Sequence, residues 1–134
     1  MSLQTQDVGL SVWVDGWQMQ CCGQPFSVGQ QVAWTVGDAD RDWLVPMLGA
    51  DTHVSIDAAE EHHGGLPEQT PATTGTISRI TAVHCRYAPA PGQDTRTLYP
   101  VPGSAVLREL ESADGWTPGY EDLQFVGYLV QLAN

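Results

Sequence analysis

The sequence contains no lysine, and five arginines are its only strongly basic residues in 134. Sixteen acidic residues outnumber them, so the formal net charge is −11. Nucleic-acid affinity comes largely from lysine and arginine contacts with phosphates, which this chain cannot supply in number. The composition therefore argues against nucleic acid and against anionic membranes as partners. It leaves a small molecule or a protein as the partner, of cationic character where the acidic charge takes part in binding.

Long apolar runs and a leader segment are also missing. No stretch approaches the roughly 20 apolar residues that a membrane-spanning helix needs. Residues 1–7 contain neither a positive segment nor an apolar core, so they do not resemble a signal peptide. Cysteine is scarce and odd in number, and the adjacent Cys21 and Cys22 would close only a strained ring. These features predict a cytoplasmic protein with reduced thiols.

Alternating apolar residues predict an all-β domain that spans residues 1–134. Val12 and Val14 would share one face of a first strand, with Trp13 on the other face. A slip in phase between Ile77 and Ile80 predicts a bulge. Six or seven short strands favour a small antiparallel barrel. Besides the first strand, the predicted strands cover residues 17–21, 32–36, 52–58, 76–87, 104–107 and 123–132.

A single short helix is predicted after residue 37. Asp38 and Asp40 supply the acidic residues that favour a helix N-terminus. Pro46 limits the helix to one or two turns, because proline in a helix interior costs about 3 kcal/mol. The residues that share its apolar face are Trp43, Leu44, Met47 and Leu48.

Two segments resemble the first two core strands of SH3-like barrels. They are Phe26-x-x-Gly29-x-x-Val32-x-Trp34 and Gly75-x-Ile77-x-x-Ile80. The resemblance implies an SH3-like barrel in which the connection between these strands is expanded. That connection would be a long insertion, residues 37–74, which carries the short helix.

Several blocks, spread over nearly the whole chain, are similar to a family of small, acidic, uncharacterised bacterial proteins, a domain of unknown function. The resemblance implies no activity, and it assigns no catalytic residue. The blocks are residues 12–23 (VWVDGWQMQCCG), 61–65 (EHHGG), 83–87 (VHCRY), 99–104 (YPVPGS) and 125–130 (FVGYLV).

A zinc site is one hypothesis for the histidines and cysteines. Tetrahedral zinc needs three or four such ligands, although no C-x-x-C or H-x-x-x-H spacing occurs here. On an extended strand His84 and Cys85 point to opposite faces, and we expect Cys85 to be a small core residue and His84 to point outward. The predicted ligands are His62, His63 and His84 with Cys21 or Cys22, and His53 is held in reserve. The alternative is that His62 and His63 are only polar loop residues.

Aromatic recognition is the other hypothesis for a site. Trp13 shares a strand face with Asp15, and Trp17 follows directly after a turn. Together with His62 and His63 of the 60–66 loop, these tryptophans predict a ligand-binding face. Acidic residues beside aromatic rings favour a cationic ligand. The alternative is that both tryptophans cover a barrel end or pack under the insertion.

The sequence as a whole favours a non-enzymatic binding or interaction module without a cofactor. The first alternative is a zinc-containing protein, structural or catalytic. The second is a small hydrolase or transferase with a cysteine–histidine pair, oriented by Asp15, Glu60 or Glu61. No nucleophile motif accompanies the cysteines, so no catalytic residue is assigned.

Overall fold

The computed structural model describes residues 9–49, 56–60, 71–89, 92, 96–119 and 122–133, apart from the side chains of Cys21 and Cys22. Within these ranges the chain is mostly β-structure, with helices α1 (Gly16–Cys22) and α2 (Arg41–Leu48). No helix in them is long and apolar enough to cross a membrane. The strands are β1 (Leu10–Asp15), β2 (Phe26–Ser27), β3 (Gln31–Trp34), β4 (Val36–Gly37), β5 (Ala58–Glu60), β6 (Thr73–Cys85), β7 (Tyr87–Ala88), β8 (Tyr99–Pro100), β9 (Val106–Leu110), β10 (Ser112–Ala113) and β11 (Gln124–Ala133).

Seven strands form a nearly closed, barrel-like sheet. The order is β3-β6-β11-β1-β5-β4, and β9 also pairs with β6. The long strand β6 pairs with β3 along Thr73–Thr76 and with β9 along Ile80–His84. The two ends of the path, β3 and β4, are separated in the chain by Thr35 alone. The sheet therefore curls back on itself, which confirms the prediction of a mostly β, barrel-like fold.

The prediction of a wholly antiparallel barrel is wrong at one strand pair. β1 pairs antiparallel with β11 over Leu10–Asp15, but it pairs parallel with β5, where Val12 lies opposite Ala58 and Trp13 opposite Ala59. Parallel neighbours need a long crossover connection, and the chain between β1 and β5 contains both helices. The predicted insertion, residues 37–74, is therefore partly built into the sheet, because β5 belongs to it.

The prediction of a strand over residues 17–21 and of a single helix is also wrong, because α1 occupies this segment. The helix ends at Cys22, and the N–H of the following Gly23 donates to the carbonyl oxygens of Gln18 and Met19. Gln18 and Met19 are buried while Trp17 is exposed, and Met19 enters the barrel core. A segment this short alternates equally well as a strand, and the burial of Met19 together with the close approach of Gly16 to β11 favours the helix.

The predicted short helix is confirmed as α2. The carboxylate of Asp40 accepts a hydrogen bond from the backbone N–H of Trp43 at 3.3 Å and so caps the N-terminus. Pro46 lies inside the helix, which ends two residues later at Leu48. Three of the four predicted apolar residues are buried and the fourth, Trp43, packs against them.

The sheet has a hydrophobic core on each face. Val12 and Val14 point into the barrel, where they pack with Ile80 and Tyr128. Trp13 points the other way and is 3% exposed, in a second cluster with α2. The residues of α2 in that cluster are Leu44, Met47 and Leu48. The face opposite the valines is therefore covered by the insertion, which is one of the two positions considered for Trp13.

The predicted bulge in β6 is confirmed. Gln131 pairs with Arg79 while the next residue of β11 pairs with Ile77, so Ser78 is the extra residue. The bulge brings Ile77 and Ile80 to the same face of the sheet, and both lie in the barrel core.

Candidate functional site

A cleft of about 600 Å³ opens beside the outer face of the barrel, between α1 and α2. Its volume lies within the roughly 300–1,000 Å³ that is typical of small-molecule sites. No basic side chain lines it among the described residues. Its aromatic residues are Trp13, Trp17, Trp43, Tyr87 and Phe125, and its acidic residues are Asp15, Asp38, Asp40 and Glu60. We refer to it as the acidic aromatic cleft.

Trp13 and Asp15 form one wall of this cleft. They are two residues apart on β1 and so share the outer face of the strand. The indole Nε1 of Trp13 donates a hydrogen bond to Oδ1 of Asp15 at 3.0 Å. The ring of Trp13 also packs against that of Trp43, with centroids 6.2 Å apart and planes at 59°. The indole is thereby fixed in place, and it holds the carboxylate beside the aromatic rings.

The start of α1 places Trp17 at the mouth of the cleft, where its side chain is 53% exposed. Gly16 permits this position, because a Cβ there would lie 2.8 Å from both the Val126 carbonyl oxygen and the Phe125 ring. The helix therefore begins in direct contact with β11. Trp17 follows this contact directly and lines the cleft.

The opposite wall consists of Asp38 and Asp40, which precede α2, and of Trp43 within the helix. Asp40 is held by its capping contact with the N-terminus of the helix. Nη2 of Arg41 donates to the carbonyl oxygen of Ile56 at 2.7 Å and so ties the start of α2 to the segment before β5. The guanidinium is thereby turned toward this segment, and Arg41 does not line the cleft.

Glu60 lies between this cleft and a second, smaller one of about 310 Å³. Val12 lies opposite Ala58, so the side chains of Ala58 and Glu60 point to the same face of the sheet as Val12, toward the barrel core. The side chain of Ala59 points to the other face, where Trp13 lies. Glu60 is only 6% exposed. A carboxylate buried so deeply needs polar partners, because the loss of its hydration is otherwise very costly.

Comparison with known proteins assigns nearly the whole chain to one family. A family model matches residues 8–134. The chain belongs to DUF6578, a family of unknown function. No curated protein and no solved structure matches it. The predicted resemblance to a family of unknown function is confirmed. A function for this DUF6578 chain must therefore be argued from its own residues.

Of the residues predicted to bind a ligand, the structure brings Trp13 and Trp17 of this DUF6578 chain together at the acidic aromatic cleft. His62 and His63 lie outside the described residues. Sequence reasoning did not assign Trp43 and Tyr87 to the site. The sequence pattern assigns Trp43 to the apolar face of a helix. In the structure it is half-buried, so it both packs against α2 residues and lines the cleft. Nothing in the sequence indicates where α2 docks, so this wall of the cleft was not predictable.

The prediction that His84 points outward is wrong, because its imidazole is 1% exposed. Nε2 lies 3.0 Å from the carbonyl oxygen of Pro118 and donates to it, since a carbonyl only accepts. The ring also packs 5.8 Å from that of Phe125. This burial has two causes. The sheet has a hydrophobic core on each face, so neighbouring residues of β6 are buried whichever face they point to. The pairing of β6 with β11 also shifts its register at Val126, beside His84.

The zinc hypothesis stays a prediction for this DUF6578 chain. Its ligand set rests mostly on His53, His62 and His63 and on the side chains of Cys21 and Cys22, which lie outside the described part of the structure. In the part that is described, no group of three or more histidine, cysteine, aspartate or glutamate residues is placed to hold a metal ion.

Cys85 is fully buried, as predicted for a small core residue. Burial raises the pKa of its thiol, and hydrogen bonds with Tyr87 and Ser104 offset this only in part. Burial likewise raises the pKa of Tyr87, and the nearby Cys85 and Asp15 raise it further. A thiol that is buried and protonated at neutral pH is a poor nucleophile, so Cys85 is not a candidate for catalysis.

We expect the free energy of unfolding to fall as the pH rises above about 9. The unfolded thiol of Cys85 ionises near its ordinary value of 9.0, while the folded thiol stays protonated to higher pH. Its contribution to stability is therefore fully present below pH 9.0 and is lost as the pH rises through the folded pKa. Urea unfolding across this pH range should show a shallower fall for Cys85→Ala than for the wild type. An identical slope in both proteins would contradict this assignment.

Proposed function

We propose that this DUF6578 chain is a non-enzymatic binding module that holds an organic cation in the acidic aromatic cleft. The observation that carries the proposal is the composition of that cleft. Three tryptophans and four carboxylates line it, and no described basic side chain does. The faces of aromatic rings, tryptophan above all, attract cations, and water exclusion strengthens this attraction. The net charge of −11 adds a long-range attraction for the same class of ligand.

A quaternary ammonium group fits the aromatic lining of this cleft best. Asp15 and Asp40 are each held in place by one hydrogen bond, from Trp13 and from the N-terminus of α2, and they supply negative charge beside the rings. A primary ammonium needs acceptors for three N–H groups, whereas a quaternary ammonium needs none. The methyl groups of such a cation contact aromatic faces while its charge stays close to the carboxylates.

Two finer predictions from the sequence belong with this proposal. The SH3-like character of the barrel is supported by the antiparallel pairing of Gln31–Trp34 with Thr73–Thr76, since these strands lie in the two segments that carry the resemblance. A cytoplasmic location fits the presence of the buried, protonated thiol of Cys85, because reducing compartments keep such thiols free.

Titration with choline, followed by tryptophan fluorescence, tests the proposal. We expect saturable binding that weakens as salt is added, because Asp38 and Asp40 are exposed and salt screens their charges. The neutral isostere 3,3-dimethylbutan-1-ol, which keeps the shape without the charge, should bind roughly ten-fold more weakly or worse. Equal binding of choline and the neutral isostere would refute recognition of a cation.

The chain offers a matched pair of variants for the same titration. Trp17→Ala removes an aromatic ring at the mouth of the cleft and should weaken choline binding roughly two- to five-fold, as expected for an exposed cation–π contact. Trp116→Ala removes a ring of similar exposure, 64% against 53%, that does not line the cleft. Its affinity for choline should equal that of the wild type. An equal loss in both variants would place the binding site elsewhere.

A further inference from the structure

The second cleft adjoins the acidic aromatic cleft and differs from it in chemistry. Its walls combine the apolar side chains of Met19, Phe26 and Trp34 with the polar residues Gln24 and Thr35. The rings of Phe26 and Trp34 meet edge to face with their centroids 5.1 Å apart. Glu60 is its one charged residue among those described, and Glu60 belongs to both clefts.

α1 runs beside both clefts and relates them to each other. Trp17 and Gln20 line the acidic aromatic cleft, while Met19 and Gly23, at the end of the helix, line the second one. Glu60 projects from β5 on the side of the barrel core, and Ala59 projects toward the acidic aromatic cleft. The two clefts therefore share Glu60 as a lining residue, and α1 contributes side chains to both.

We infer that the ligand is an elongated cation, with its charged head in the acidic aromatic cleft and an unbranched apolar chain in the second cleft. This inference rests on the proposed function. The head belongs in the first cleft because Asp15, Asp38 and Asp40 line only that one. The chain belongs in the second because an alkyl group gains free energy when it leaves water for contact with Phe26 and Trp34. Glu60 lies at the junction, close to the charged end of such a molecule.

A series of alkyltrimethylammonium ions with unbranched chains tests this. Tetramethylammonium and its ethyl, butyl, hexyl and octyl homologues share one head and differ only in the chain. We expect affinity to rise roughly three- to four-fold for each buried methylene and then to level off when the second cleft is filled. n-Octanol, which has the chain without the charge, should bind more weakly than octyltrimethylammonium.

Two tryptophan variants separate the head from the chain. The readout is the ratio of the affinities for octyltrimethylammonium and tetramethylammonium. Trp34→Ala should lower this ratio at least roughly ten-fold, since it removes a wall of the second cleft. Trp17→Ala should weaken both ions alike and leave the ratio as it is in the wild type. Trp34→Leu keeps an apolar contact with Phe26 and replaces Trp34→Ala in this comparison where thermal melting shows that the alanine variant does not fold.

The outcomes distinguish this inference from the proposed function. Saturable binding of tetramethylammonium without any gain along the series would overturn the elongated ligand and leave the proposed function standing. A ratio of affinities that stays at its wild-type value in the Trp34 variant, or octanol binding as tightly as octyltrimethylammonium, would also overturn it. Failure of both choline and tetramethylammonium to bind would refute the proposed function itself, and the inference with it.

Discussion

Replacement of Trp13 by alanine is expected to lower the free energy of unfolding by about 3–5 kcal/mol. The indole is 3% exposed and fills the space between the outer face of the barrel and α2. Its removal leaves a cavity bordered by Leu44 and Trp43, which cannot collapse without moving the helix. Urea unfolding followed by circular dichroism measures the loss directly.

Two further variants make this prediction specific. Trp13→Phe keeps most of the buried area but loses the hydrogen bond to Asp15, and we expect a smaller cost of about 1–2 kcal/mol. Trp116→Ala removes a tryptophan that is 64% exposed, and its effect should stay within about 0.5 kcal/mol. If Trp13→Ala were no more costly than Trp116→Ala, Trp13 would not pack under α2. Because Trp13→Ala destabilises the whole domain, Trp17 is the better residue for tests of binding.

Replacement of Gly127 by alanine should destabilise the protein by about 3 kcal/mol. Gly127 lies on β11 opposite Asp15, at the point where the pairing with β6 shifts its register. A Cβ at this position would lie 2.5 Å from the carbonyl oxygen of Val14 and 2.7 Å from the ring of Trp13. The first of these atoms belongs to the backbone of the paired strand, so β1 and β11 must separate to make room.

Equilibrium unfolding of Gly127→Ala and of a matched variant checks this prediction. Ser27→Thr adds one carbon at an exposed position of β2, and it should change stability by no more than about 0.5 kcal/mol. In a Trp13→Phe background the penalty of Gly127→Ala should shrink but persist, because the smaller ring relieves only one of the two contacts. A penalty that vanishes there would mean that the backbone oxygen of Val14 does not resist the substitution.

The sequence predicts the long strands of this fold better than its short elements. β6 and β11 are long enough for alternation, β-branched residues and even the bulge at Ser78 to be visible in the pattern. α1 has only seven residues, and over so short a segment strand and helix patterns coincide. Its conformation is decided by tertiary contacts, namely the burial of Met19 and the approach of Gly16 to β11.

Only the part of the candidate site that lies on β1 and the following helix α1 could be predicted from the sequence. Trp13, Asp15 and Trp17 are neighbours in the chain, so their common location follows from the sequence. Asp38 and Glu60 reach the same cleft through the docking of α2 and through the parallel pairing of β5 with β1. Local patterns do not encode such a crossover, because it depends on contacts between residues far apart in the chain. The opposite wall of the cleft therefore became visible only in three dimensions.

The pairing of β1 with β11 also bears on how the chain reaches its native state. These strands pair along Leu10–Asp15 and Gly127–Leu132, so partners lie more than one hundred positions apart in the chain. Closure of so large a loop costs entropy before any contact repays it, which slows folding relative to a helical domain of the same size. On the ribosome β1 and β6 must wait for β11 to emerge. In that interval their unpaired edges are open to pairing with other chains, which favours aggregation over correct folding.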